Sequence, residues 1–236
     1  MFGILVLGFL SGIAHAFETD HLAAIAALVS GRNRPRDGLR TGAMWGLGHS
    51  LTLLVVGAGV MLTGTAISPE LSARLELLVG LMLLALGASV LWRLHRDRVH
   101  FHPHRHGDGQ NHLHLHSHRG QSHRHDPASH AHTHPDHLVR RSLAVGIVHG
   151  LAGSAALMLV AAAAFDSLFA GLGYIVLFGA GSILGMASMS LVLALPMAVA
   201  AHWLTRAHTG LQLLIGLGTI GVGAHIIYVS VWGIAG

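Results

Sequence analysis

Residues 2–28 read FGILVLGFLSGIAHAFETDHLAAIAAL, an apolar run with His15, Glu18, Asp20 and His21 set inside it. A spanning helix needs roughly 20 predominantly apolar residues, and this run supplies them. Ionisable groups at membrane depth are expensive, and where they persist they mark an ion or substrate pathway. All four are also ligands for a divalent metal, with imidazole suiting nickel, zinc, copper or iron. The stretch predicts a membrane span and a metal site within it.

The remaining chain carries the same hydrophobicity. Of 236 residues, 52% are hydrophobic and 10% charged, with 31 glycines and a mean hydropathy of +0.60. Soluble domains carry about 25% charged residues. Five further segments are long enough to span, at about 40–64, 71–93, 141–164, 167–200 and 209–233. The segment at 167–200 is overlong and holds Pro196, so its last turns are expected to bend or lie at the interface. The apolar–polar alternation of a membrane barrel is absent. Ala14-His15-Ala16 has the small-residue form of a signal-cleavage site. The start nevertheless lacks a basic region and apolar residues resume after His21, so the first segment reads as a retained helix. The expected fold is an all-α integral membrane protein with six transmembrane helices.

Arginine placement orients it. Of the 14 arginines, 13 fall in the connections after the first, third and fifth segments. Only Arg74, near Glu70 and Glu76, lies on the other side. Basic loops stay cytoplasmic, which puts both termini outside a cytoplasmic (inner) membrane. The formal charge of +4 sits in loops rather than on one face of a folded domain, which excludes nucleic acid as a partner. No cysteine is present, so disulfides, thiolate metal sites and cysteine nucleophiles are excluded. With no lysine there is no P-loop, and transport must draw on gradients, the membrane potential or trapping.

The two ends repeat. Gly12-Ile13-Ala14-His15 matches Gly146-Ile147-Val148-His149, Gly46-Leu47-Gly48 matches Gly179-Ala180-Gly181, and Leu75 to Leu81 matches Leu211 to Leu217. These matches stand 134, 133 and 136 residues apart, in order, across three separate segments. Three helices per half is an odd number, so the halves face opposite ways, as in the inverted repeats of secondary transporters. The expected domains are residues 1–94 and 141–236, each a three-helix repeat, joined by 95–140. That joining segment holds 15 of the 22 histidines, mostly as His-x-His among Arg, Gly, Ser, Asp and Pro. Disorder and cytoplasmic metal capture are expected there, and a cytoplasmic nickel chaperone is an expected partner.

On a regular helix His15 and Glu18 share a face while Asp20 and His21 point elsewhere. Either the four groups serve different partners or the helix is unwound at this point. His49, flanked by Gly46 and Gly48, can complete the site from the second segment. His149, the repeat mate of His15, approaches from the other half. Met186 and Met189 are second-tier candidates, and His225 reads equally as a helix-to-helix hydrogen bond.

At these residues the chain resembles the nickel/cobalt transporter family and its wider superfamily. The hallmark His-x4-Asp-His is met by His15, Asp20 and His21, and a Leu-Gly-His-Ser element by Leu47-Gly48-His49-Ser50. The resemblance implies transport of nickel(II) or cobalt(II), with the hallmark residues needed for it. Typical members have eight helices against the six read here. Their later Gly-Met element is acidic, whereas Gly185 to Ser190 has no acidic residue. Compact relatives resemble urease accessory membrane proteins, and the His-rich segment is similar to that of nickel/cobalt resistance exporters.

The expected function is uptake of a divalent transition metal, nickel first, by alternating access, with the ion as substrate and no cofactor. Its ligands are His15, Asp20, His21 and His49, with Glu18 and His149 as further members. Efflux is the alternative. A membrane metalloenzyme is the weaker rival, because no paired histidines of the H-E-x-x-H kind occur within the spans.

Overall fold

The computed structural model describes the chain except residues 1, 31–33, 66, 97–99, 106–110, 117–134, 153–164, 166, 204 and 236. The described residues form helices and one hairpin.

The first apolar run is two helices, α1 (Phe2–His15) and α2 (Thr19–Val29). Between them the backbone tightens. Ala16, Phe17 and Glu18 donate to the carbonyls of Ile13, Ala14 and His15, three residues back, before Leu22 N–H reopens a helix on Glu18 O. The break falls where polar residues interrupt the apolar run. Asp20 lies in the first turn of α2, where the helix dipole favours a negative charge. Of the two alternatives for this stretch, the unwound one is observed.

Helix α3 (Pro35–Thr63) opens with proline at its first position, which has no N–H to leave unsatisfied. It closes on Gly64 at φ 65°, the left-handed conformation that favours glycine. Helix α4 spans Pro69–Arg96, with Arg93, His95 and Arg96 in its last turn. Helix α5 (Pro135–Ala152) is followed by α6 (Leu168–Trp203) and α7 (Thr205–Ala235). Pro196 does not interrupt α6, so the expected bend or interfacial end is not taken as a break in the helix.

Among the described residues, four helices are long and apolar enough to cross a bilayer: Pro35–Thr63, Pro69–Arg96, Leu168–Val199 and Ala207–Ile234. They are the second, third, fifth and sixth expected spans. The first expected span is broken as described, and each of its halves is too short to cross alone. The fourth is described as far as Ala152 in α5; its remainder lies outside the described residues.

The segment expected to lack regular structure contains a hairpin. Strand β1 (His100–Arg105) pairs antiparallel with β2 (Asn111–His116), with His102 opposite His114 and His104 opposite His112. His-x-His alternation has the two-residue period of a strand. Arg32, Arg98, Arg119 and Arg124 lie outside the described residues, as do His106, His118, His123, His125, His130, His132 and His134.

Helix α3 packs between α5 and α6, α1 lies along α6, and α4 lies along α7. Small residues bring the backbones together. A Cβ on Gly12 would collide with the carbonyl of Phe178, and one on Gly146 with the carbonyl of Trp45. Gly48 meets Leu143 O as Gly181 meets Phe9 O. Gly80 opposes Gly223, and Gly87 opposes Gly216. Packing by close approach is how helices associate in lipid, where apolar surface alone gives no drive to separate from the tails. The short α2 inserts among α4, α6 and α7, burying Ala24, Ile25, Ala27, Leu28 and Val29 in a core with Trp45 and Met186.

Candidate metal centre

The break between α1 and α2 places His15 at the end of one helix and His21 in the first turn of the next. Helix α3 supplies His49 and α5 supplies His149. His21, His49 and His149 are 1%, 0% and 1% exposed. The His21 ring lies 4.2 Å from that of His149 and 4.4 Å from that of His15. His49 stands 5.2 Å from both His15 and His21. Four imidazoles from four helices meet in one buried pocket.

Two carboxylates hold the rings. An ionised carboxylate only accepts hydrogen bonds, so His15 Nδ1–H donates to Glu18 Oε1 at 2.7 Å. Asp20 Oδ1 accepts from the His21 backbone N–H at 2.8 Å and from His21 Nδ1–H at 3.0 Å. Asp20 Oδ2 accepts from His149 Nε2–H, also at 3.0 Å. His15 Nε2 and His49 Nε2 face each other at 3.2 Å. Trp45 closes the wall, its ring 5.4 Å from His21 and 5.5 Å from His149.

His21 Nε2, His49 Nδ1 and His149 Nδ1 are buried without a hydrogen-bond partner among the described residues. A buried polar atom left unmet costs about 1–3 kcal/mol. Two sets of side chains could hold a metal ion: His15 with His21 and His49, and Asp20 with His21 and His149. In each set the donor atoms lie within 4.8 Å of one another. Neutral imidazole with carboxylate is a donor set for nickel, cobalt or zinc.

All six residues singled out in the sequence, His15, Glu18, Asp20, His21, His49 and His149, come together here. Glu18 is exposed and reaches the centre only through His15. Met186 is fully buried in the apolar core and Met189 packs against it. His208 accepts from the Gln212 amide at 3.0 Å, away from the centre.

Glu76 escaped the sequence reading. A cavity of about 860 Å³ is lined by Glu18, Asp20, Glu76 and His225 among apolar residues of α4 and α7. It opens the Asp20 side of the centre to solvent-sized molecules. The available signal is a carboxylate inside the third apolar run, where Arg74 stands nearby as a ready partner. Arg74 instead pairs with Glu70 at 2.6 Å on the surface.

Over residues 1–230 the chain matches the NicO family, described as "High-affinity nickel-transport protein". It is 34% identical over 236 residues to the urease accessory protein UreH of Bacillus sp. (strain TB-90), covering 97% of this chain and 92% of that one. It is 26% identical over 233 residues to the chloroplast protein FOR GROWTH AND FERTILITY 2 of Arabidopsis thaliana, covering 96% of this chain and 56% of that one. No solved structure matches. The chain is a multi-pass membrane protein that belongs to the NicO family of high-affinity nickel-transport proteins.

Proposed function

We propose that the protein carries nickel(II) into the cytoplasm by alternating access around the buried histidine centre. The observation that carries this reading is the convergence of four imidazoles and Asp20 at a helix break, with three ring nitrogens left unpartnered. Broken helices with exposed backbone and ligating side chains are how transporters build ion sites at mid-membrane. His15, Asp20, His21, His49 and His149 bind the ion, and Glu18 orients His15.

Six crossings in two inverted repeats form the frame, with the α1–α2 pair as the first crossing and α5 beginning the fourth. The contacts support this symmetry. Adding 134 to Gly12 and subtracting 133 from its partner Phe178 gives the contacting pair Gly146 and Trp45. The same operation turns the Gly48–Leu143 contact into Gly181–Phe9. An offset of 136 turns Gly80–Gly223 into Gly216–Gly87. On this symmetry His15 and His149 serve the transported ion from opposite halves of the molecule.

The cavity beside Asp20 is the entry vestibule, where Glu18, Glu76 and His225 attract and partly dehydrate the cation. The His-rich segment lies in the cytoplasm, with both termini outside, and captures the delivered ion for a nickel chaperone. Nickel outranks cobalt at nitrogen and oxygen donors. The relative named a urease accessory protein favours supply to an enzyme over disposal.

Cellular nickel content, measured in a host lacking its own nickel transporters at trace external nickel, tests the direction. Wild type should raise nickel above empty vector, and His15→Ala should not. Lower nickel with wild type alone would mean export through the same centre.

A further inference from the structure

The donors of the centre divide into two sets that share only His21. An imidazole whose Nδ1–H is held by a carboxylate presents Nε2 to a metal. His15, on Glu18, and His21, on Asp20, are both in that state. His21 Nε2 is buried without a partner among the described residues, and His15 Nε2 already faces His49 Nε2. Across the His21 ring, the other edge meets the Asp20 carboxylate, which also holds His149.

Resting on the reading of this centre as the site of the transported cation, we propose that it is two metal positions on opposite edges of the His21 ring, filled one at a time. In the first, the ion takes Nε2 of His15, His21 and His49, with Glu18 and Asp20 orienting the rings from behind. In the second, it takes an Asp20 oxygen, His21 Nδ1 and His149 Nε2, so that Asp20 changes from support to ligand. His21 stays neutral in both, its proton on Nδ1 while Nε2 ligates and on Nε2 while Nδ1 ligates. The His149 proton moves from Nε2 to Nδ1 in the same step. Proton number is unchanged, and only the ion carries charge across the ring.

The arrangement answers a requirement of transport. An ion must be bound well enough to shed water yet weakly enough to leave, and several modest positions meet that better than one deep one. Each set has three protein donors, which leaves open coordination for water. The positions stand roughly 6 Å apart, from a ring about 2 Å across and two metal–nitrogen bonds of about 2 Å. Two dications at that distance repel strongly in a low dielectric, which enforces single occupancy.

Anomalous diffraction from crystals of the full chain soaked in cobalt(II) reads this directly. Wild type should show two peaks flanking His21 whose occupancies sum to no more than one ion. His149→Ala should keep only the peak among His15, His21 and His49, and His49→Ala only the peak at Asp20. If His149→Ala does not fold, His149→Gln retains a hydrogen-bonding group toward Asp20 and serves the same purpose. One peak lost in both variants would overturn the two-position proposal and leave a single metal site standing. No peak at the centre in wild type would overturn the metal-site reading with it.

Discussion

Two groups of histidines in this chain differ in every physical respect but the side chain. Four, on α1, α2, α3 and α5, are held by helix packing and by two carboxylates, each ring within 6 Å of at least two of the others. Fifteen lie between His95 and His137, where strands β1 and β2 set some in register but few apolar residues are available to build a core. The first group has its geometry imposed before a metal arrives. Binding there loses little conformational entropy, and a shift in one helix changes the donor set. The second gains capacity from number, and no single member is indispensable. In the function proposed here, selectivity and movement belong to the buried four, and buffering to the many.

The largest expected difference follows from that contrast. Asp20→Ala removes the acceptor of two rings at once and leaves them free to reorient. Nickel flux in cells should fall at least 100-fold while the amount of protein in the membrane stays unchanged; flux within threefold of wild type would erase the distinction between the groups. Gly146→Leu comes next. Its side chain would enter the space of the Trp45 carbonyl and the His49 N–H, parting α3 from α5 and separating His49 from His149. Overpacking of this kind costs about 1–3 kcal/mol, and we expect a lower midpoint of thermal unfolding in detergent together with loss of flux.

Deleting residues 100–134 should be milder, altering apparent affinity or capacity several-fold in a nickel uptake assay without abolishing flux. Abolished flux would transfer the central role to the His-rich segment. Smaller still is Glu76→Gln, expected to raise the half-saturating nickel concentration two- to fivefold with maximal flux unchanged, since Glu76 lines the approach and not the centre. Acid should release nickel from the His-rich segment. Ligating imidazoles must be neutral, protons compete with the metal, and binding there weakens as pH falls through histidine's unperturbed value of about 6.5.

Much of this was legible in the sequence, for reasons that differ by element. Apolar runs at 40–64, 71–93 and 209–233 announced themselves by length, and the helices follow them closely. The break at Ala16 to Glu18 was legible as an alternative because four ionisable residues could not all face one way on a regular helix. His149 was found through its repeat mate and not through its surroundings, and its bond to Asp20 across 129 residues is visible only in three dimensions. Glu76 was missed because an acidic residue near a helix start reads as solvated unless a cavity is known to reach it. The hairpin follows the two-residue period of the alternating histidines, a signal that the polar composition of the segment obscures.

The most direct test of the account is equilibrium nickel binding to the purified chain in detergent after the histidines between residues 100 and 134 are replaced by serine. One nickel per chain should be retained, and His21→Ala on that background should release it. A chain that binds no nickel once those histidines are gone would contradict a metal centre within the membrane.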